Sequence, residues 1–200
     1  MNILITGSNG FIGKNLTVRL QELTQFDIIS FNRQDSINDL SNMIKEADVL
    51  VHLAGENRPV NKDDFQKGNY LLTKQICNLI KDNQKEIPII MASSSQAALD
   101  NLYGKSKLAS EVAVEELSQE NGNPAIIYRL PGVFGKWCKP NYNSVVATFC
   151  HNIANDLPIE INDPDYLLSL VYIDDVIDFF INNLTIPFSK GITRETISPE

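Results

Sequence analysis

The 200-residue sequence has few cysteines, few histidines, a deficit of positive charge and no long apolar run. Its three cysteines, Cys77, Cys138 and Cys150, form no C-x-x-C pair, which argues against both a disulfide framework and a zinc site. The two histidines, His52 and His151, stand far apart, so no metal is expected; His52 lies inside an apolar run and reads as a satisfied core residue. No stretch of 18 or more apolar residues is available to span a membrane, and no basic leader precedes the first apolar run. A cytoplasmic protein without a membrane partner is the expectation. With 17 Lys and Arg against 25 Asp and Glu, the net charge is -8, which argues against nucleic acid as a partner because such binding rests on a basic surface. Any anionic ligand must therefore be held by local groups. There are no repeats and no low-complexity tract. What remains, 43% hydrophobic and 21% charged residues, is the composition of one globular domain, or one domain with a small appendage.

The most informative stretch is residues 2–13, NILITGSNGFIG. A short apolar, β-branched run leads into Gly7, Gly10 and Gly13 at i, i+3 and i+6, then into an amphipathic segment. A strand, a glycine turn and a helix N-terminus are what a dinucleotide pyrophosphate needs: close approach of the backbone and free amides at the positive end of a helix. Gly7, Asn9, Gly10, Phe11, Ile12 and Gly13 are accordingly candidate cofactor contacts, with Phe11 and Ile12 as the packing pair behind the turn.

Periodicity orders the rest. It predicts a helix over 11–21, a strand over 27–31, a helix over 36–47, a continuous apolar strand over 48–53 and a long helix over 62–81. A strand over 88–91 runs into Ser93, Ser94 and Ser95; Asp100 or Asn101 caps a helix over 102–119 that stops at Gly122; 125–130 is a further buried strand. The alternation gives an α/β fold, a Rossmann-type doubly wound parallel sheet. Beyond Pro131 a long Gly-, Pro-, Asn- and Lys-rich loop precedes a helix over 144–154, short strands near 158–162 and 167–173, and a last helix from an Asp174 cap to about 184. The tail after it has no strong periodicity. The organisation read from this is a dinucleotide-binding domain over 1–135 and a small, partial substrate lobe over 136–200, interleaved with it.

The chemistry concentrates at Tyr103-Gly-Lys-Ser-Lys107. The i,i+4 spacing at a helix start puts the phenol and the ammonium on one face. A nearby lysine is expected to lower the phenol's pKa from about 10, and Ser94, at the end of the preceding strand, can hold a carbonyl against it. Proton donor, activator and carbonyl clamp are the apparatus for moving a hydride onto or off a carbon–oxygen bond. Tyr70 and Lys74 share the spacing, but they lie in mid-helix with no serine-ended strand before them, and read as core packing and a solvated charge. At the end of the second strand, Phe31-Asn32-Arg33 offers an arginine where NAD-binding chains carry an acid, so NADPH is the expected cofactor, with Arg33 on its 2′-phosphate.

Taken together these motifs resemble the extended short-chain dehydrogenase/reductase family of nucleotide-sugar epimerases, dehydratases and reductases. TGSNGFIG is similar to its glycine turn, VLVHLAG to its strand ending beside the cofactor, Tyr103 and Lys107 to its active pair, and RLPGVFG to its nicotinamide-contacting segment. The resemblance implies catalytic Ser94, Tyr103 and Lys107, with Ser95 as the alternative clamp or a substrate contact. It implies cofactor contacts from Leu53, Ala54, Gly55, Tyr103, Lys107, Leu130, Pro131 and Val133, and a supporting role for Asn69. HLAGENRP, QAALDNLYGKSK and GKWCKPNYNSVVATFC are similar to the branch that acts in UDP-N-acetyl-L-fucosamine and capsular polysaccharide synthesis. That branch implies NADPH-dependent reduction of a 4-keto group on a UDP-linked 2-acetamido-2,6-dideoxyhexose to a 6-deoxy-talose product.

The sequence departs from the family pattern in three places. The usual third strand and the helix before it are collapsed between Arg33 and Ala47. The arginine that commonly binds the diphosphate is replaced by Leu168-Ser169-Leu170, leaving Arg58, Lys136, Lys139 and Asn143 as candidate substrate contacts. The chain also stops where the family would still be building its substrate lobe, which reads as a fragment or a natural truncation, without the cupin domain that follows in this branch. A homodimer is left open. Ser94 is followed by Ser95 and Gln96 rather than by the acid that dehydratases place there, which counts against dehydration. A 4-epimerase or a non-catalytic NADP-binding module remains as an alternative to the reductase.

Overall fold

The computed structural model describes residues 1–197. In chain order the strands are β1 (Asn2–Thr6), β2 (Asp27–Phe31), β3 (Val49–His52), β4 (Ile89–Ser94), β5 (Ala125–Leu130), β6 (Gly132–Phe134), β7 (Leu170–Tyr172) and β8 (Ile192–Thr196). The helices are α1 (Phe11–Glu22), α2 (Ile37–Glu46), α3 (63–82), α4 (Leu102–Asn121), α5 (Val145–Ala154) and α6 (Ile173–Thr185). Six strands form one parallel sheet in the order β2-β1-β3-β4-β5-β8, and β6 and β7 form a separate parallel pair.

Alternation along each strand sends side chains to two covered faces. On one, Ile3, Ile5, Val49, Val51 and Tyr128 pack against Leu16 and Leu20 of α1 and Val176, Ile177 and Phe180 of α6. On the other, Leu4, Leu50, Met91 and Ile127 meet Leu40 and Ile44 of α2, Ile76 and Ile80 of α3, and Val114 and Leu117 of α4. Each fully buried aliphatic or aromatic side chain contributes roughly 1.5–3 kcal/mol, against about 0–1 for exposed ion pairs such as Arg19–Glu22, so these two layers hold the fold.

The collapse between Arg33 and Ala47 is real: α2 returns the chain directly to β3, and β2 is left as the sheet edge. Since the chain goes outward from β1 to β2 and then inward to β3, the strand order reverses between β1 and β3. The crevice of a doubly wound sheet opens beyond the carboxyl ends of strands at such a point.

Four expectations need correction. No strand forms over 158–162; Ile159 and Ile161 alternate there but are exposed, with no strand paired to them among the described residues. The tail does carry a strand, β8, which escapes a periodicity reading because ITRET has a single aliphatic residue and lies on the sheet edge. The last helix starts at Ile173 with Tyr172 in the cap position, so Asp174 lies inside its first turn. Within the loop after Pro131, Gly132–Phe134 pairs in register with Leu170–Tyr172.

Candidate active site

The expected reacting groups meet beyond the end of β4. Ser94 is its last residue, and the Ser94 hydroxyl accepts from the Gln96 amide (3.2 Å), starting one 3-10 turn over Ser95–Ala98. The first turn of α4 lies directly on that turn. A Cβ at Gly104 would stand 2.1 Å from the Gln96 carbonyl oxygen and 2.7 Å from that of Leu99, so only glycine permits the approach. Asn101, not Asp100, caps the helix, its side-chain oxygen accepting from the Gly104 amide at 2.8 Å.

Tyr103 is thereby set between Ser94 and Phe65 of α3, whose ring centroid is 5.7 Å from its own. Burial raises the phenol's pKa, and a hydrogen bond from Ser94 works in the opposite direction. The expected lowering by Lys107 is therefore not what the structure gives. One turn on, Lys107 is 7% exposed, and its ammonium donates to the Ala92 carbonyl oxygen (2.7 Å). Burial pushes its pKa down to about 8, with Glu111 opposing the shift.

Residues Gln66–Leu71 of α3 form a π-helical turn around Asn69, which is buried. The Asn69 side-chain oxygen accepts from the Glu56 amide (2.8 Å), while its amide donates to the Glu56 carbonyl and the Ser106 hydroxyl (both 2.9 Å). The site wall, the loop after β3 and α4 are thus joined at one side chain. A Cβ added to Gly55 would lie 2.7 Å from the Asn69 oxygen and 3.8 Å from Lys107 Nζ, so the LAG end of β3 borders the lysine. Below it, His52 bridges Thr6 (2.7 Å) and Thr73 (2.9 Å), the satisfied core histidine expected, with burial pushing its pKa down to about 3.

The glycine turn lies across the crevice. Gly7 has φ +74°, which L side chains rarely adopt, and a Cβ there would meet the Ala54 amide nitrogen at 2.8 Å. Helix α1 begins at Phe11 with Gly10 in the cap position and no side-chain cap, so its first amides are not engaged by a side chain of the chain itself. That is the donor set a diphosphate requires, and the residues fit a dinucleotide. Asn32, at the end of β2, accepts from the Asn9 amide (3.0 Å) and exchanges bonds with Ser8, holding the turn open; sequence reading passed over it for its neighbour. Arg33 itself is 89% exposed and pairs with Glu56 at 2.9 Å, an acid that the sequence alone did not connect to it. Leu130, Pro131 and Val133 follow β5 into β6 on the same side of the sheet as Ser94, which pairs in register with Leu130.

The substrate candidates divide. Ser95 is exposed beside Ser94, and Arg58 is exposed in the loop after Glu56. Lys139 lies 5.9 Å over the Tyr142 ring, and the Tyr142 hydroxyl donates to the Asn57 side chain (2.8 Å), so the 135–143 loop reaches the loop that carries Arg58; Asn143 is exposed at its end. Lys136 is turned the other way. It pairs with Asp174 at 2.8 Å in a groove between α1 and α6, where its carbonyl accepts from Asn15. Tyr70 is half-buried against the second core layer, and Lys74 pairs on the surface with Glu116.

A glycine turn before an uncapped helix, with serine, tyrosine and lysine gathered across the crevice, defines a nicotinamide-dinucleotide fold of the extended short-chain type. The chain belongs to the NAD dependent epimerase/dehydratase family, whose profile matches residues 3–191. Among its relatives is the UDP-2-acetamido-2,6-beta-L-arabino-hexul-4-ose reductase of Pseudomonas aeruginosa, 44% identical over 195 residues, covering 98% of this chain and 52% of the relative. The crystal structure of the capsular polysaccharide assembling protein CapF from Staphylococcus aureus superposes with a TM-score of 0.84 at 42% identity, over 97% of this chain and 53% of that one. The chain thus spans about half the length of these relatives. A UDP-glucuronic acid 4-epimerase from Bacillus cereus in complex with NAD shares the fold, with a TM-score of 0.88 at 21% identity over 100% of this chain and 79% of its own.

Proposed function

We propose that this chain carries the reductase centre of an enzyme that reduces the 4-keto group of a UDP-linked 2-acetamido-2,6-dideoxyhexose with NADPH, giving a 6-deoxy-talose product for capsular polysaccharide. The observation that carries the reading is the cluster of Ser94, Tyr103 and Lys107 beyond β4, facing the Gly7–Ala54 crevice. The similar reductase of Pseudomonas aeruginosa supports the substrate class.

A nicotinamide dinucleotide, when bound, supplies the hydride. The first amides of α1 would hold its diphosphate, Lys107 its nicotinamide ribose, and Arg33 the 2′-phosphate after leaving Glu56. Ser94 orients the sugar carbonyl by donating to its oxygen. Tyr103 donates the proton to that same oxygen as it becomes an alkoxide, and its raised pKa keeps it protonated for the task at neutral pH. The buried Lys107 ammonium then stabilises the tyrosinate left behind. Ser95 and Gln96 supply no acid to expel water, in keeping with reduction rather than dehydration.

The test is NADPH consumption, followed by absorbance, on addition of the UDP-linked 4-keto sugar. Tyr103→Phe is expected to lower kcat by about 10²–10⁴-fold while NADPH binding stays within about twofold. Unchanged turnover contradicts the assignment. Sugar turnover without net NADPH loss would indicate an epimerase, and NADPH binding without any turnover a non-catalytic module.

A further inference from the structure

Behind the reacting groups lies a second polar cluster that the proposed mechanism does not use. Glu111 stands one turn after Lys107 on α4, and its side chain is fully buried. Its carboxylate accepts from Arg129 on β5 through Nε (3.0 Å) and a terminal nitrogen (2.6 Å), a two-pronged, charge-assisted contact. The same carboxylate accepts from the Ser93 hydroxyl on β4. Ser93 and Arg129 are register partners across β4 and β5, so both reach α4 from one face of the sheet. Arg194 of β8 stands 3.9 Å from Glu111 and is itself paired with Glu115 at 2.6 Å.

Ser93 lies between Ala92, whose carbonyl takes the Lys107 proton donor, and Ser94. We infer that Glu111 is a positioning residue for the reductase centre: bound to Ser93 and Arg129, it fixes the end of β4 against α4 and, one helical turn from Lys107, sets a buried negative charge beside that ammonium. This rests on the reductase reading of Lys107. Burying a carboxylate costs several kcal/mol unless it is paired and fully hydrogen-bonded, and here both oxygens are engaged. The groups facing Lys107 from the packed elements are the neutral His52 from β3, the uncharged Asn69 from α3 and the Ala92 carbonyl from β4, with Tyr103 and Glu111 four residues before and after it on its own helix. Glu111 is the sole anion among them in the described residues.

The test is the titration of Lys107 in the folded chain without substrate, read from the ¹³Cε shift of labelled lysine and assigned through Lys107→Arg. Glu111→Gln keeps the shape and is expected to lower the Lys107 midpoint by roughly one pH unit. The alkaline limb of kcat/KM should move down with it. Glu111→Asp, which retains the charge, is expected to restore most of the shift. An unmoved midpoint in Glu111→Gln overturns the inference. Should that variant not fold, Arg129→Gln leaves Glu111 less neutralised, so a rise in the midpoint supports the coupling and no rise overturns it. If the midpoint moves in a chain that reduces no keto sugar, the reductase reading fails and the coupling stands; if the sugar is reduced and the midpoint is fixed, the coupling alone fails.

Discussion

Single residues decide the geometry of this centre. Gly104 is the clearest, because an exposed helical glycine usually gains about 1 kcal/mol when replaced by alanine. Here the added Cβ would stand 2.1 Å from one backbone carbonyl oxygen and 2.7 Å from another, and neither can move as a flexible side chain can. Overpacking of about 1–3 kcal/mol or more wins. Gly104→Ala is therefore expected to lower the stability read by urea unfolding by about 1–3 kcal/mol and to reduce kcat by displacing Tyr103 from Ser94; equal or greater stability would refute the packing argument. His52 carries the acid sensitivity of the core. Its pKa is about 3 in the folded chain and near 6.5 when unfolded, so the unfolded chain takes up a proton that the folded chain refuses. That stabilisation is complete above pH 6.5 and is lost as pH falls towards 3, in total on the order of 4–5 kcal/mol. Urea midpoints of the native chain and His52→Asn, compared between pH 7 and 4, should show a steeper loss for the native chain. Identical slopes would contradict it.

At the scale of elements, the loop after β2 and the loop after β3 meet at the Arg33–Glu56 pair. An arginine freed from Glu56 can take a 2′-phosphate through a charge-assisted bond. Arg33→Ala is expected to weaken NADPH binding about tenfold while leaving NADH unchanged, as measured by fluorescence titration of each. Equal effects on both would remove the role. The elements differ in how much of themselves they write into the sequence. β1, β2, β5 and α1 are legible because their apolar periodicity and glycine punctuation are local, and the placement of Tyr103 and Lys107 at a helix start and of Ser94 at a strand end because those signals are local as well. β8 has one aliphatic residue and exists by pairing with β5, while β6 and β7 pair across 35 residues of loop and helix; neither carries a local signal. The same holds inside the site. The turn of Lys136 towards Asp174, the raised pKa of Tyr103 and the Asn69 junction depend on neighbours that arrive from distant segments.

The whole molecule brings these parts together by topology. Reversal of strand order between β1 and β3 puts the glycine turn on one side of a crevice and the β4–α4 corner on the other. The described chain spans about half the length of its similar reductase relative, and α5 with the segment that follows it presents Ile153, Ile159, Ile161 and Leu167 to solvent. In the proposed reductase, the Ser94–Tyr103–Lys107 corner directs net hydride delivery to a sugar carbonyl. The most direct measurement uses NADPH deuterated on the transferred position of its nicotinamide, with the UDP-linked 4-keto sugar, and mass and NMR analysis of the product. One deuterium at C4 of the reduced sugar, with one NADPH consumed per product, is the predicted result; a product without deuterium, or formed without net oxidation of NADPH, would contradict the account.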